Sequence, residues 1–250
     1  MKAFIGLLQK ERIRYLSVGV IGFVFAVLAV WLGPIILHRY NVNVSVYNSR
    51  FIIVIIVTVI SVLQSLIFFI TSVKRDTKQK DLWLHNHQSI YTLIFVKFLY
   101  HGVQMFLTTA AVLLGFFFVG NEVVGSIAQI IFFYGSCLYY VVCAYIVSGI
   151  IGLSFFTIDL QMKKFVERGS ILLTIIVFFG IIRLFSLLPE KVLPYWKISN
   201  EWLQKIYPEF ENGTSVMFYE IYLADELFSM VMLIVIYVVI CKWLERVMTR

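Results

Sequence analysis

Apolar residues in this chain gather into six long stretches: Leu16 to Leu37, Phe51 to Val73, Tyr91 to Val119, Val123 to Ile158, Ser170 to Leu188 and Tyr222 to Trp243. Each approaches or exceeds the roughly 20 residues that carry a helix across a bilayer core of about 30 Å. In hydrocarbon a backbone must satisfy its own hydrogen bonds, so the pattern predicts helices and not open strands. The expected fold is an all-α membrane protein with six transmembrane helices, and no soluble domain fits between them. The whole of 1–250 reads as one membrane domain.

The polar residues between the stretches are not evenly charged. Lys2, Lys10, Arg12 and Arg14 precede the first stretch, and Lys74, Arg75, Lys78 and Lys80 follow the second. Lys163, Lys164 and Arg168 follow the fourth, and Lys242, Arg246 and Arg250 end the chain. The alternate segments hold only Arg39, Arg50, Lys191, Lys197 and Lys205. Lys and Arg favour the cytoplasmic side of a membrane, so this bias predicts a multi-pass cell-membrane protein with both termini cytoplasmic.

Two stretches depart from the ideal length. No charged residue separates Glu122 from Asp159, a run too long for one bilayer crossing at 1.5 Å per residue, so the fourth span must tilt, break or project. Gly135, Gly149 and Gly152 are the weak points at which a break would fall. The sixth is short, with an uncharged run only from Leu227 to Cys241, which puts Asp225 and Glu226 at the outer interface.

The flanking segments carry helical patterns of their own. Within Met1 to Tyr15, Phe4, Leu7 and Leu8 share a face while Lys10, Arg12 and Arg14 fall mostly elsewhere, as in an interfacial amphipathic helix; by composition alone the segment reads equally as a simple basic flank. The first span lacks an A-x-A cleavage site and is expected to be a retained anchor. Between spans five and six, Pro189 to Ile221 contains a short amphipathic stretch, Glu201 to Phe210, with Ser199 or Asn200 as an N-cap. Short outer helices lying on or dipping into the membrane are expected there.

Composition sharpens the class. Hydrophobic residues make up 61% and charged residues 14% of the 250, and mean hydropathy is +0.91, too little polar surface for a water-soluble globule. The excess of 21 Lys and Arg over 14 Asp and Glu sits beside apolar spans, where it meets lipid headgroups and not nucleic acid. Cys137, Cys143 and Cys241 lie inside apolar runs and make no disulfide framework. Nucleotide-loop, zinc-protease and serine-hydrolase signatures are missing, so no catalytic residue is assigned. His85 and His87 alone make a poor metal site, and none is expected.

The loop after the second span is the most informative. Leu82, Trp83 and Leu84 are too hydrophobic for a freely solvated turn and too few to span anything, so they call for a protein surface or the headgroup region. The segment Asp81-Leu82-Trp83-Leu84-His85-Asn86, with its polar turn and downstream Lys97, resembles the cytoplasmic coupling segment of ABC-2 type permease subunits. The order of a basic amphipathic start, six spans and a long outer loop resembles the same family along the whole chain. Departures occur at His87, where relatives often have Pro, and at Val96, where Gly is frequent.

That resemblance implies one half of the pore of an ABC exporter. A separate ATPase subunit would bind ATP and Mg, this chain would bind no cofactor, and a second permease copy or a paralogue would complete the pathway. Permeases similar to this one commonly export antimicrobial or toxin peptides, so an amphipathic peptide is the expected cargo. Phe106, Thr108 and Thr109 in span three and Tyr134, Tyr139, Tyr140 and Tyr145 in span four are candidates for its path. Arg183, Glu220, Asp225 and Glu226 are candidates for the outer mouth, either pairing with cations or facing cargo. An ion channel or secondary transporter, and an intramembrane enzyme, are the alternatives; the uncharged middle of most spans argues against the first, and the lack of convergent polar groups against the second.

Overall fold

The computed structural model describes residues 2–40, 46–78, 89–117, 127–163, 170–186 and 223–249, and every described element is an α-helix. In chain order these are α1 (Lys2–Arg39), α2 (Val46–Lys78), α3 (Ile90–Phe117), α4 (Ile127–Met162), α5 (Ser170–Ser186) and α6 (Leu223–Thr249). Four of them, α1 to α4, are long and apolar enough to cross a membrane. The helix of α5 has 17 residues, just short of the usual requirement of about 20. In α6 the uncharged run from Leu227 to Cys241 is bounded by acids at one end and Lys242 at the other.

Helix α1 is continuous for 38 residues, with no break between the basic N-terminal stretch and the apolar run that follows. Helix α4 is likewise unbroken over 36 residues, so the long fourth stretch does not break at its glycines. Gly149 and Gly152 serve packing instead. A Cβ on Gly149 would lie 2.3 Å from the Phe98 ring, and one on Gly152 would lie 3.3 Å from Ile70. Gly135 has open space around it. The start of α3 is fixed by Ser89, whose hydroxyl accepts from the Thr92 amide at 3.4 Å in the manner of an N-cap.

The chain divides into two compact units, 1–152 and 153–250, with α4 running through both. In the first, α1, α2 and α3 pack on one another in layers. One end is ionic and the next layer aromatic; a polar cleft follows, and then Ala26, Val30, Val54, Val57, Val112 and Leu113 form an apolar layer. The outward faces are apolar as well: Phe25, Ile35, Ile56, Ile60, Ile67 and Leu107 are all more than half exposed or nearly so, as lipid-facing residues would be. Within the second unit, Phe155 and Phe178 meet edge to face at 5.8 Å, and Cys241 and Leu244 are fully buried.

The first part of α4 is tied to α3 by tyrosines. The Tyr145 hydroxyl donates to the Phe98 carbonyl at 3.0 Å while its ring stacks on that of Phe98 at 4.8 Å. The Tyr134 hydroxyl donates to the Ala110 carbonyl at 2.9 Å. A buried phenol thereby finds a partner, and the carbonyls of a helix are the acceptors within reach.

Candidate functional site

Three stripes of mostly polar, glycine or aromatic residues, each at helical spacing, face inward on the first three helices. Glu11, Tyr15, Gly19 and Gly22 lie along α1; Asp76, Ser72, Phe68, Ser65 and Ser61 along α2; Lys97, His101, Gln104 and Thr108 along α3. Steps of three and four residues keep each set on one helix face. Side chains that would be costly in lipid are thus turned toward one another.

At the ionic end, Lys97 is the centre. Its ammonium donates to Glu11 Oε1 at 2.6 Å, to Asp76 Oδ2 at 2.8 Å and to Ser72 Oγ at 2.5 Å, which uses all three of its hydrogens. The Ser72 hydroxyl in turn donates to Glu11 Oε2 at 2.8 Å. Arg14 donates to Asp76 Oδ1 at 3.2 Å, and Lys10 lies 3.8 Å from the same oxygen. Side-chain exposure is 2–4% for Lys97, Glu11 and Asp76 but 23% for Arg14 and 39% for Lys10. Two buried carboxylates against one buried ammonium leave one negative charge, which the two more exposed cations outside more than offset, so that the five groups sum to plus one.

Above this node sits His101, fully buried, its ring edge-on to Tyr15 at 4.9 Å and to Tyr100 at 5.3 Å. Its Nε2 is 4.0 Å from Glu11 Oε2, beyond hydrogen-bond range, and neither ring nitrogen has a hydrogen-bond partner among the described residues. Phe68 lies 5.6 Å from Tyr15 and 6.2 Å from His101, closing the aromatic layer.

Between α1, α2 and α3 opens a cleft lined by Gly19, Gly22, Ser61, Gln64, Ser65, Gln104 and Thr108, with the rings of Phe23 and Phe68 completing its wall. The glycines on α1 leave room for the two glutamines. A Cβ on Gly19 would fall 1.7 Å from Gln104 Nε2, and one on Gly22 would fall 2.8 Å from Gln64 Nε2. Ser61 donates to the Val57 carbonyl at 2.8 Å and Thr108 to the Gln104 carbonyl at 3.0 Å. Gln104 Oε1 is buried and accepts no hydrogen bond from the described residues.

The candidates named from the sequence are scattered relative to these layers. Lys97 is at the heart of the node. Asp81 to Asn86 lie outside the described residues, as does Glu220; the side chains of Arg183, Asp225 and Glu226 do too, although α5 and α6 carry them. Thr108 lines the cleft, whereas Thr109 is fully buried with its hydroxyl 3.6 Å from the Met105 sulfur. Tyr134 and Tyr145 are packing residues bonded to α3, while Phe106, Tyr139 and Tyr140 are about 40% exposed on outward faces. The structure therefore does not gather the aromatic candidates into one lining. Glu11, Ser72, Asp76, His101, Gln64 and Gln104 were not singled out from the sequence. Their signal was available: each is a polar residue in or beside an apolar run, at spacing that shares a face with the others.

Comparison of the chain with protein-family models, curated proteins and solved structures finds no match. Among the described residues no group of His, Cys, Asp and Glu is arranged to hold a metal.

Proposed function

We propose that the chain is the transmembrane subunit of an ATP-driven exporter of the ABC-2 type, with six spans and both termini in the cytoplasm. It works in a pair, with an identical or related permease, and exports amphipathic peptides. A separate ATPase subunit docks on residues 81–86 and supplies ATP hydrolysis; this chain performs no chemistry.

The observation that supports this reading is the ionic node. Lys97 lies about two turns into α3 and closes with Asp76 near the end of α2, so the node brackets the segment 79–88 that joins those helices. Glu11 draws α1 into the same contact. A push on that segment would be shared by three helices and not spent in bending one. Such sharing is what a transport domain driven from outside the membrane requires, because a partner can bias a two-state pathway only through contacts that differ between its states.

A tagged full-length chain purified from native membranes should bring with it an ATP-hydrolysing subunit, and Trp83→Ala should leave the membrane domain folded while ATP turnover no longer drives transport. A second reading, an ion-coupled transporter or channel, is favoured by one specific feature, the stripe of His101, Gln104 and Gln64 inside the spans. Gradient-driven flux by the purified chain in liposomes, with no ATPase present, would establish that reading and overturn the exporter.

A further inference from the structure

We infer that the cleft between α1, α2 and α3 is a binding site for a single alkali cation, a property that goes beyond the exporter reading and does not depend on it. Five side chains around it carry oxygen: Ser61, Gln64 and Ser65 from α2, and Gln104 and Thr108 from α3. All are uncharged. Hard cations take oxygen ligands, and a set without carboxylates suits a monovalent ion over Ca²⁺ or Mg²⁺, whose protein sites are built around them.

The hydrogen bonding of the cleft is lopsided. Ser61 and Thr108 spend their hydroxyl hydrogens on carbonyls of their own helices, so what they present to the cleft is lone pairs. The nitrogen of Gln104 is pressed against Gly19, nearer to it than the oxygen, and that oxygen is buried with no donor among the described residues. Three of the oxygens that line the cleft therefore have lone pairs to offer, which is what a cation takes. The space holds about one water-sized occupant, the size class of a dehydrated Na⁺ or K⁺.

A cation in the cleft joins α2 to α3 across the floor supplied by the glycines of α1. Midspan sites for coupling or structural ions are built in this way, from polar side chains turned into a bundle.

The test is ²²Na⁺ binding to the full-length chain in lipid nanodiscs by scintillation proximity, with choline as the inert cation and unlabelled Na⁺ or K⁺ as competitor. Saturable binding displaced by at least one of the two ions is expected. Thr108→Val and Ser61→Ala should each weaken it by about tenfold, whereas Ser148→Ala, on α4 and outside the cleft, should leave it within about twofold. Thr108→Ser keeps the oxygen and should keep the site, and Gln104→Glu should tighten it, so the proposal stays open to refutation if a deletion variant fails to fold. No saturable binding of Na⁺ or K⁺ by the folded wild-type chain would make the cleft a water site and overturn the proposal. Binding that survives unchanged in Thr108→Val and Ser61→Ala would overturn it equally. The assay contains no ATPase, so its failure and that of the exporter reading are separate results.

Discussion

Replacing Lys97 by Met keeps the length of the side chain and removes its charge. Glu11 and Asp76 then remain buried, with exposures of 3% and 4%, and their nearest cation is Arg14, 3.8 Å from Glu11 and 3.2 Å from Asp76. Removing one partner of a buried ion pair costs about 3–5 kcal/mol, because the remaining charge has lost its compensation and cannot reach water. For a chain of this size that corresponds to a fall in melting temperature of roughly 6–20 °C. Glu11→Gln should cost less, about 1.5–3 kcal/mol, since Lys97 keeps Asp76 and Ser72. The double variant should lose less than the sum of the two singles by about 1–3 kcal/mol, because the groups act as one network. Lys163→Ala is the control: its pair with Asp159 is on a half-exposed side chain, and its loss should cost under about 1 kcal/mol. The measurement is the fraction of monodisperse protein remaining after heating in detergent. A Lys97→Met variant that melts within about 2 °C of wild type, or strict additivity in the double variant, would refute a closed node.

Three further outcomes follow from the same geometry and from the charge pattern. Gly149→Ala should destabilise by about 1–3 kcal/mol, because the new Cβ meets a ring held between Phe69 and Tyr145, whereas Gly135→Ala meets nothing and should gain up to about 1 kcal/mol of helix propensity, both read from thermal melts. In a cysteine-free background, Lys205→Cys should react with an impermeant reagent in intact cells and Lys78→Cys should not; the reverse pattern would invert the topology. Neutralising Asp225 and Glu226 together should either lower the yield of folded protein, if they pair with cations, or leave it intact and weaken export of cationic peptides selectively; normal folding with unchanged export would remove both roles.

Periodicity and hydropathy carried the helical class. Four helices long and apolar enough to cross a membrane follow directly from runs such as Phe51 to Val73, where a backbone in hydrocarbon would have to bond to itself. Two features were legible only in part. The long fourth stretch was open to a break at Gly149, yet the glycine is there to admit the Phe98 ring, a tertiary demand that helix propensity alone does not encode. Lys97 stood out by its place after the loop, but its role as an ion-pair centre needed Glu11 and Asp76, which are distant in sequence. Glu11 sits among Lys10, Arg12 and Arg14 and reads, one-dimensionally, as a small correction to a basic flank. Folding turns it inward while Arg12 stays exposed. Likewise, Gln64 and Gln104 look like isolated polar residues until α1 supplies a glycine opposite each.

The node also changes what the basic flank means. A count of Lys and Arg treats each as a free charge available to lipid headgroups, but Arg14 and Lys10 are within 4 Å of Asp76, and Lys97 is consumed inside the bundle. Among the described side chains, Arg12, Lys74 and Arg75 are the cations of these flanks left exposed. Charge that orients a membrane protein acts during insertion, before the helices have packed, when Lys10 and Arg14 are still free; charge that holds the bundle acts afterwards. With the termini on the proposed side, one set of residues would serve both stages. A substitution such as Arg14→Gln weakens the orienting signal slightly, since three other basic residues precede the first span. It removes the closest external counter-charge of Asp76 entirely. Its effect should consequently appear in thermal stability and not in topology, and the two readouts separate the stages at which the same side chain works.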